Sequence, residues 1–213
     1  MTPQDASAFL RDMAAKSPVV PVLVVEDAST AADMAKALVD GGLIALEVTL
    51  RTPQALDAIR EMSKVDGAIV GAGTVLTADD AKAAKDAGAE FAVSPGSSDK
   101  LIAACEEIGL PLLPGAVTAT EAMRLLEHGF TFMKFFPAES SGGAPSVKGL
   151  GGPLPQIAFC PTGGVSPKNA QDYLSLPNVA CVGGSWVTPK DKVAQGDWAG
   201  ITALAREAYA LRS

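Results

Sequence analysis

A chain of 213 residues that is 48% hydrophobic and 19% charged can bury a core of its own, which excludes a disordered or solvating role. Its formal charge of −7, with no basic stripe interleaved with aromatics, speaks against nucleic acid as a partner. Cys105, Cys160 and Cys181 are too few and too scattered for a disulfide framework, and no apolar run approaches the roughly 20 residues that cross a bilayer.

The amino terminus, MTPQDASAFLRDMAAK, has amphipathic spacing without a signal-peptide core, and predicts a short helix within residues 1–17 of a cytoplasmic protein. VVPVLVV from Val19 is the first strand, followed by helical AADMAKALVDGG. LIALEVTL from Leu43 leads into PQALDAIREMSK, where Thr52-Pro53 reads as an N-cap and first-turn proline. AIVGAG from Ala68 precedes ADDAKAAKDAGA, and FAVSP from Phe91 precedes KLIAACEEIG. PLLPGA from Pro111 precedes TEAMRLLEHG, opened by Thr118 and Glu121 as a capping box. FTFMKFFP from Phe130 is followed by the Ser/Gly/Pro-rich ESSGGAPS from Glu139, which reads as a long loop. QIAFCPTGG from Gln156, a second N-cap with proline at Ser166-Pro167, and VACVGGSW from Val179 complete the chain. Gly41, Gly88, Gly109 and Gly129 are placed to stop four helices.

Strict strand–helix alternation implies a parallel sheet, and eight units closing on themselves give an α/β fold of the (β/α)₈ TIM-barrel type. The expected organisation is one domain over 1–213, the helix in 1–17 and the barrel in 18–213. An open doubly wound sheet is the rival, but VVPVLVVEDAST lacks the glycine-rich loop expected after its first strand.

Side chains alternate in direction along a strand, so parity assigns faces. In LIALEVTLR, Ile44, Leu46, Val48 and Leu50 form an apolar set that suits the helices. Ala45, Glu47, Thr49 and Arg51 then point into the barrel, near its carboxyl end. In strand six, Phe132, Lys134 and Phe136 share the inward side, opposite Thr131, Met133 and Phe135. An ammonium group set among four of the seven phenylalanines either snorkels to water or serves as a desolvated nucleophile. Active sites of this fold lie at the carboxyl end of the strands, where Glu47, Arg51 and Lys134 would meet. The last two strands end in Pro161-Thr162-Gly163-Gly164 and Gly183-Gly184-Ser185, read as turns at the two loops that commonly bind phosphate. Ser94-Pro95-Gly96 and Leu113-Pro114-Gly115 serve equally well as rigid strand ends or as substrate contacts. The single histidine, His128, suits the end of a helix dipole better than a metal, and the cysteines lack ligand spacing. No metal and no cofactor are expected.

In combination, LEVTLRT, VGAGTVL, FAVSPG, FMKFFPAE, FCPTGGVSP and CVGGSW resemble the bacterial 2-keto-3-deoxy-6-phosphogluconate (KDPG) and 4-hydroxy-2-oxoglutarate aldolase family, from about Val19 to the carboxyl end. The resemblance implies a class I aldolase that cleaves KDPG to pyruvate and glyceraldehyde 3-phosphate, and also 4-hydroxy-2-oxoglutarate. It implies Lys134 as the Schiff-base lysine and Glu47 as the general acid/base. Arg51 and Thr74 would hold the carboxylate end, and Pro95, Phe136 and Thr162 would line the pocket. Gly163, Gly164, Gly184 and Ser185 would take the phosphate. A homotrimer is the assembly it implies, with a phosphorylated keto acid and pyruvate as the small-molecule partners. Two other classes fit the residues themselves. One is another phosphate-binding barrel enzyme, an epimerase or a thiamine-phosphate-synthase-like transferase, with Lys134 as an anchor. The other is a non-catalytic phosphosugar-binding barrel.

Overall fold

The computed structural model describes residues 1–212; Ser213, the last residue assigned to the barrel, lies outside them. The first helix, α1 (Pro3–Lys16), starts where Thr2 and Asp5 cap each other, the Thr2 hydroxyl accepting from the Asp5 amide at 3.2 Å. Eight short strands and their helices then alternate: β1 (Val19–Leu23), α2 (Ala31–Asp40), β2 (Ala45–Thr49), α3 (Ala55–Met62), β3 (Ile69–Gly73) and α4 (Ala78–Asp86). β4 (Phe91–Val93), α5 (Asp99–Ile108), β5 (Leu112–Leu113), α6 (Ala119–His128), β6 (Phe132–Phe135) and α7 (Gly143–Gly151) follow. The chain closes with β7 (Ala158–Pro161), α8 (Ala170–Leu174), β8 (Val182–Gly184), α9 (Lys190–Gln195) and α10 (Trp198–Tyr209).

All ladders are parallel. Six strands run in the order β5-β4-β3-β2-β1-β8, and β6 pairs with β7. Two single parallel bridges, Gly115 to Lys134 and Thr162 to Gly183, join these sheets on both sides and close the barrel. The Gly115 junction is a pair of backbone bonds: the Lys134 amide donates to the Pro114 carbonyl at 2.8 Å, and the Ala116 amide to the Lys134 carbonyl at 2.9 Å. Lys134 is thus clamped on both edges, since it also pairs with Cys160 of β7.

The burial pattern divides by parity. Leu46, Val48, Met133 and Phe135 pack into the layer between strands and helices, whereas Ala45, Val93, Leu113, Phe132 and Cys160 fill the barrel interior. Leu10, Met13 and Ala14 of α1 join the interior cluster. The helix therefore plugs the amino-terminal mouth, which leaves the carboxyl-terminal mouth for function. Arg11 fastens the plug by donating to the carbonyls of Thr131 and Gln156, and the Ser7 hydroxyl accepts from the Thr131 amide.

The capping box at Thr118 and Glu121 forms, and Gly109 and Gly129 end their helices in the left-handed region, at φ 68° and 100°. Three local expectations are corrected. Thr52 does not cap α3: its hydroxyl donates to the Val25 carbonyl at 2.6 Å, tying the β2 loop to the end of β1, and the helix begins at Ala55. Ser166 does not cap α8, because the Asn169 side chain accepts from its amide (2.7 Å) and its hydroxyl, folding a turn ahead of the helix. The stretch from Glu139 is no loop. It forms a 3₁₀ turn over Glu139–Ser141 and then α7, pinned by buried Val147 and by the Asn178 amide donating to the Val147 carbonyl at 2.8 Å.

Candidate active site

The carboxyl-terminal mouth holds a buried ion pair. Lys134, next to last in β6, extends its Nζ to within 3.0 Å of Glu47 Oε1 in the middle of β2. Both side chains are almost wholly enclosed, at 5% and 3% exposure. Taking both charges out of water costs several kcal/mol per ion before their attraction is counted, so a fold keeps such a pair only with close contact. The Lys134 ammonium also lies 5.2 Å from the centroid of the Phe136 ring, in cation–π range. It does not snorkel.

Three strand glycines make room for neighbouring side chains, one of them beside this pair. A Cβ added at Gly73 would stand 2.7 Å from Glu47 Cγ, and closer to its carboxylate oxygen. One at Gly183 would stand 2.9 Å from Thr162 Cγ2, and closer to the hydroxyl. One at Gly184 would enter the Trp186 ring. Gly183 and Gly184 were expected in a turn, but both lie within β8. Close approach of neighbouring side chains, rather than a bend, is what requires glycine there.

Thr74 follows β3 with φ 60°, and is the non-glycine residue with positive φ among the described residues. For a β-branched side chain this is costly, of order 1–3 kcal/mol, and such strain concentrates at functional sites. Its hydroxyl receives the Arg51 Nε hydrogen bond at 3.1 Å. Arg51 itself lies just beyond β2, in the turn, and its guanidinium reaches Thr74 rather than the amine. Pro95, after β4, packs its backbone against Gly115, the residue bridged to Lys134. Thr162 is buried beneath the mouth, and its hydroxyl lies 3.8 Å from the Cys160 thiol. Phe136 faces Gly163, where an added Cβ would come within 3.2 Å of the ring. Gly163 and Gly164 turn the chain after β7 with φ 98° and 81°. Ser185 is exposed at the rim, beside a cleft of about 630 Å³ between the loops after β1 and β8, lined also by Val22, Thr30, Thr188 and Lys190. Of the expected site residues only Ser185 lines that cleft, so it is not where the ion pair sits.

Two features went unread in the sequence. Cys160 looked like core filler, yet it is level with Lys134 across the ladder. A hydrogen bond with Cys181, and after it the nearby Lys134 charge, hold its thiol below the usual range. Tyr173 of α8 donates its hydroxyl to the Glu139 carboxylate, whose side chain packs beneath Gly164. Burial first, and then the Glu139 contact, push the Tyr173 hydroxyl well above its ordinary value. No local signal marks either. His128 ends α6 as expected, and its ring also meets Asp99 at 3.0 Å. Among the described residues, no group of three or more His, Cys, Asp or Glu side chains is placed to hold a metal ion. Nor is any helix long and apolar enough to cross a membrane.

Known proteins share both sequence and architecture. A 2-dehydro-3-deoxy-phosphogluconate aldolase of Pseudoalteromonas atlantica is 52% identical over 94% of each chain. The crystal structure of the 2-keto-3-deoxy-6-phosphogluconate aldolase of Zymomonas mobilis with 3-phosphoglycerate superposes with a TM-score of 0.92, at 48% identity, covering 96% of this chain and 97% of that one. The KDPG aldolase of Legionella pneumophila, with pyruvate captured as a covalent carbinolamine intermediate, gives 0.90 at 42% identity over 93% and 97%. The family model for KDPG and KHG aldolases matches residues 10–204. With a buried lysine–carboxylate pair at the carboxyl-terminal mouth of a parallel eight-stranded barrel, this chain belongs to the KDPG and KHG aldolase family.

Proposed function

We propose that this chain is a class I aldolase that cleaves 2-keto-3-deoxy-6-phosphogluconate to pyruvate and glyceraldehyde 3-phosphate, and also accepts 4-hydroxy-2-oxoglutarate. The observation that carries the reading is the enclosed contact of Lys134 Nζ with Glu47 Oε1 at 3.0 Å. An amine acts as a nucleophile only after losing a proton, and Glu47 is in place to take it. The free amine adds to the C2 carbonyl, and the carbinolamine expels water as Glu47 returns the proton. The resulting iminium draws electrons from the C3–C4 bond. As Glu47 takes the C4 hydroxyl proton, that bond breaks to release the aldehyde and leave an enamine. Protonation at C3 and hydrolysis of the imine free pyruvate and Lys134. The carbinolamine captured in the Legionella pneumophila relative supports this order of steps.

In this reading Arg51 and Thr74, joined at the mouth, hold the substrate carboxylate, for which a guanidinium beside a hydroxyl is suited. Pro95, Phe136 and Thr162 line the pocket. Gly163, Gly164, Gly184 and Ser185 receive the phosphate through main-chain N–H groups and one hydroxyl. The place of Gly163 and Gly164 after β7, and of Gly184 and Ser185 at the carboxyl end of β8, supports that role. The same reading makes residues 1–213 one domain and the protein a cytoplasmic homotrimer.

Borohydride reduction in the presence of pyruvate, followed by peptide mapping, tests the assignment. A stable adduct is expected on Lys134 alone, and none in Lys134→Arg, whose guanidinium keeps the charge but cannot form the imine. An unmodified wild type would reject the Schiff base and leave the epimerase-like, transferase-like and sugar-phosphate-binding readings.

A further inference from the structure

We infer that Gly73 is a positioning residue of the reaction, its bare Cα forming the seat that holds the Glu47 carboxylate against Lys134. Gly73 ends β3 and pairs with Thr49, and its carbonyl accepts the Leu50 amide at 2.8 Å. Its φ is not positive, so the backbone there does not demand glycine. Volume does. A methyl group on Gly73 would lie 2.7 Å from Glu47 Cγ and 2.9 Å from Cδ, and closest to Oε1, the same oxygen that accepts from Lys134 Nζ at 3.0 Å. Contacts below 3.0 Å force a shift. These atoms belong to a carboxylate side chain held in a closed site, so the shift falls on the catalytic contact.

Gly71, two residues earlier on the same face, provides the contrast. Its missing Cβ makes room for the Phe91 ring, a contact of the interior packing alone. Two glycines of one strand thus serve different ends. One admits a core ring and the other seats the acid/base. Because Thr74 follows directly, in its strained conformation and bonded to Arg51, the end of β3 arranges both the carboxylate of the acid/base and the guanidinium.

The inference rests on Glu47 as acid/base, and a double-mutant cycle tests it separately from that reading. Gly73→Ala should lower kcat by about 10²-fold, the cost of displacing a catalytic group by about 1 Å. It should slow exchange of pyruvate methyl protons with solvent deuterium in parallel and leave KM within a few-fold. Glu47→Asp, one methylene shorter, should also be slow. The combined Gly73→Ala/Glu47→Asp variant should be at most a few-fold slower than Glu47→Asp alone, because the shorter side chain has already withdrawn from Lys134 the carboxylate that the methyl would displace. Gly71→Ala should lower the melting temperature without any such coupling to Glu47→Asp.

Losses that multiply in the combined variant, or wild-type kcat in Gly73→Ala, would overturn the inference while wild-type trapping of pyruvate still upheld the Schiff base. If Gly73→Ala is insoluble, the same substitution in a Glu47→Ala background decides. Recovered folding places the clash at Glu47, and continued insolubility places it elsewhere and overturns the inference.

Discussion

Glu47 is surrounded by atoms that fix it rather than by solvent. Lys134 meets one carboxylate oxygen and the open side of Gly73 borders the same atom. A carboxylate so held serves either as a proton carrier or as a counter-ion. The substitution Glu47→Gln separates these roles, since it keeps the shape and loses the basicity. As a proton carrier, its loss should slow turnover by on the order of 10²–10⁴-fold and suppress deuterium exchange into the pyruvate methyl group. Wild-type exchange rates in Glu47→Gln would show a counter-ion only. Lys134 left without its carboxylate is also a stability matter, because an uncompensated buried charge commonly costs about 3–5 kcal/mol. Activity must therefore be read on the folded fraction.

Most of the helices with clear start signals owe them to side chains that satisfy the free N–H groups of the first turn. At α6 the Thr118 hydroxyl accepts from the Glu121 amide, while the Glu121 carboxylate accepts from the amides of Val117 and Thr118 at 2.9 and 2.8 Å. Replacing Thr118 with Ala should cost about 1 kcal/mol in chemical denaturation. Those backbone bonds, the one from Val117 foremost, hold the Glu121 carboxyl below its ordinary range. A depressed folded value means that the contribution is complete above the unfolded value and is lost as pH falls through the folded one. In Glu121→Gln the fall in stability across that acid window should be shallower than in wild type. An identical slope would mean that the carboxylate is free in solution. β6 shows the complementary case, in which an element is set by its edges. Its four residues all pair with β7, and Lys134 is bonded on its other side as well, through the Gly115 bridge in the segment after β5, so the Lys134 backbone has little freedom.

A barrel closed on itself has no exposed sheet edge, but its two mouths must be managed. Here α1 fills one with Leu10, Met13 and Ala14, and the interior below the ion pair is filled by Phe91, Phe132 and Leu113. The ion pair consequently sits on a dry floor with access from one end. Leu10 is fully buried, and Leu10→Ala should lower stability by about 2–5 kcal/mol in denaturant titration. The kcat of the folded fraction should stay within a few-fold, since the plug lies at the end opposite Lys134. A negligible stability change would mean that α1 lies on the barrel without filling it. At long range the charge of −7 repels an anionic substrate, so the donors at the mouth have to outweigh it locally.

What could be read along the chain was what depends on near neighbours. Eight alternating units follow from periodicity, and the inward direction of Glu47 and Lys134 follows from parity, because both are properties of a few consecutive residues. The capping box at Thr118 was legible for the same reason. Contacts between distant residues were not. Thr52 forgoes its cap because Val25, 27 positions away, offers a carbonyl. The Gly/Pro-rich stretch after β6 becomes α7 because buried Val147 and the Asn178 side chain outweigh poor helix propensity. Gly183 and Gly184 look like a turn by composition, and only their pairing with Val20 and Pro21 of β1 places them in a strand. The need for glycine at Gly73, the strain at Thr74 and the tie of Tyr173 to Glu139 are likewise invisible locally. Each is a matter of which atoms closure of the barrel brings within a few ångströms, and closure is a property of all eight strands together.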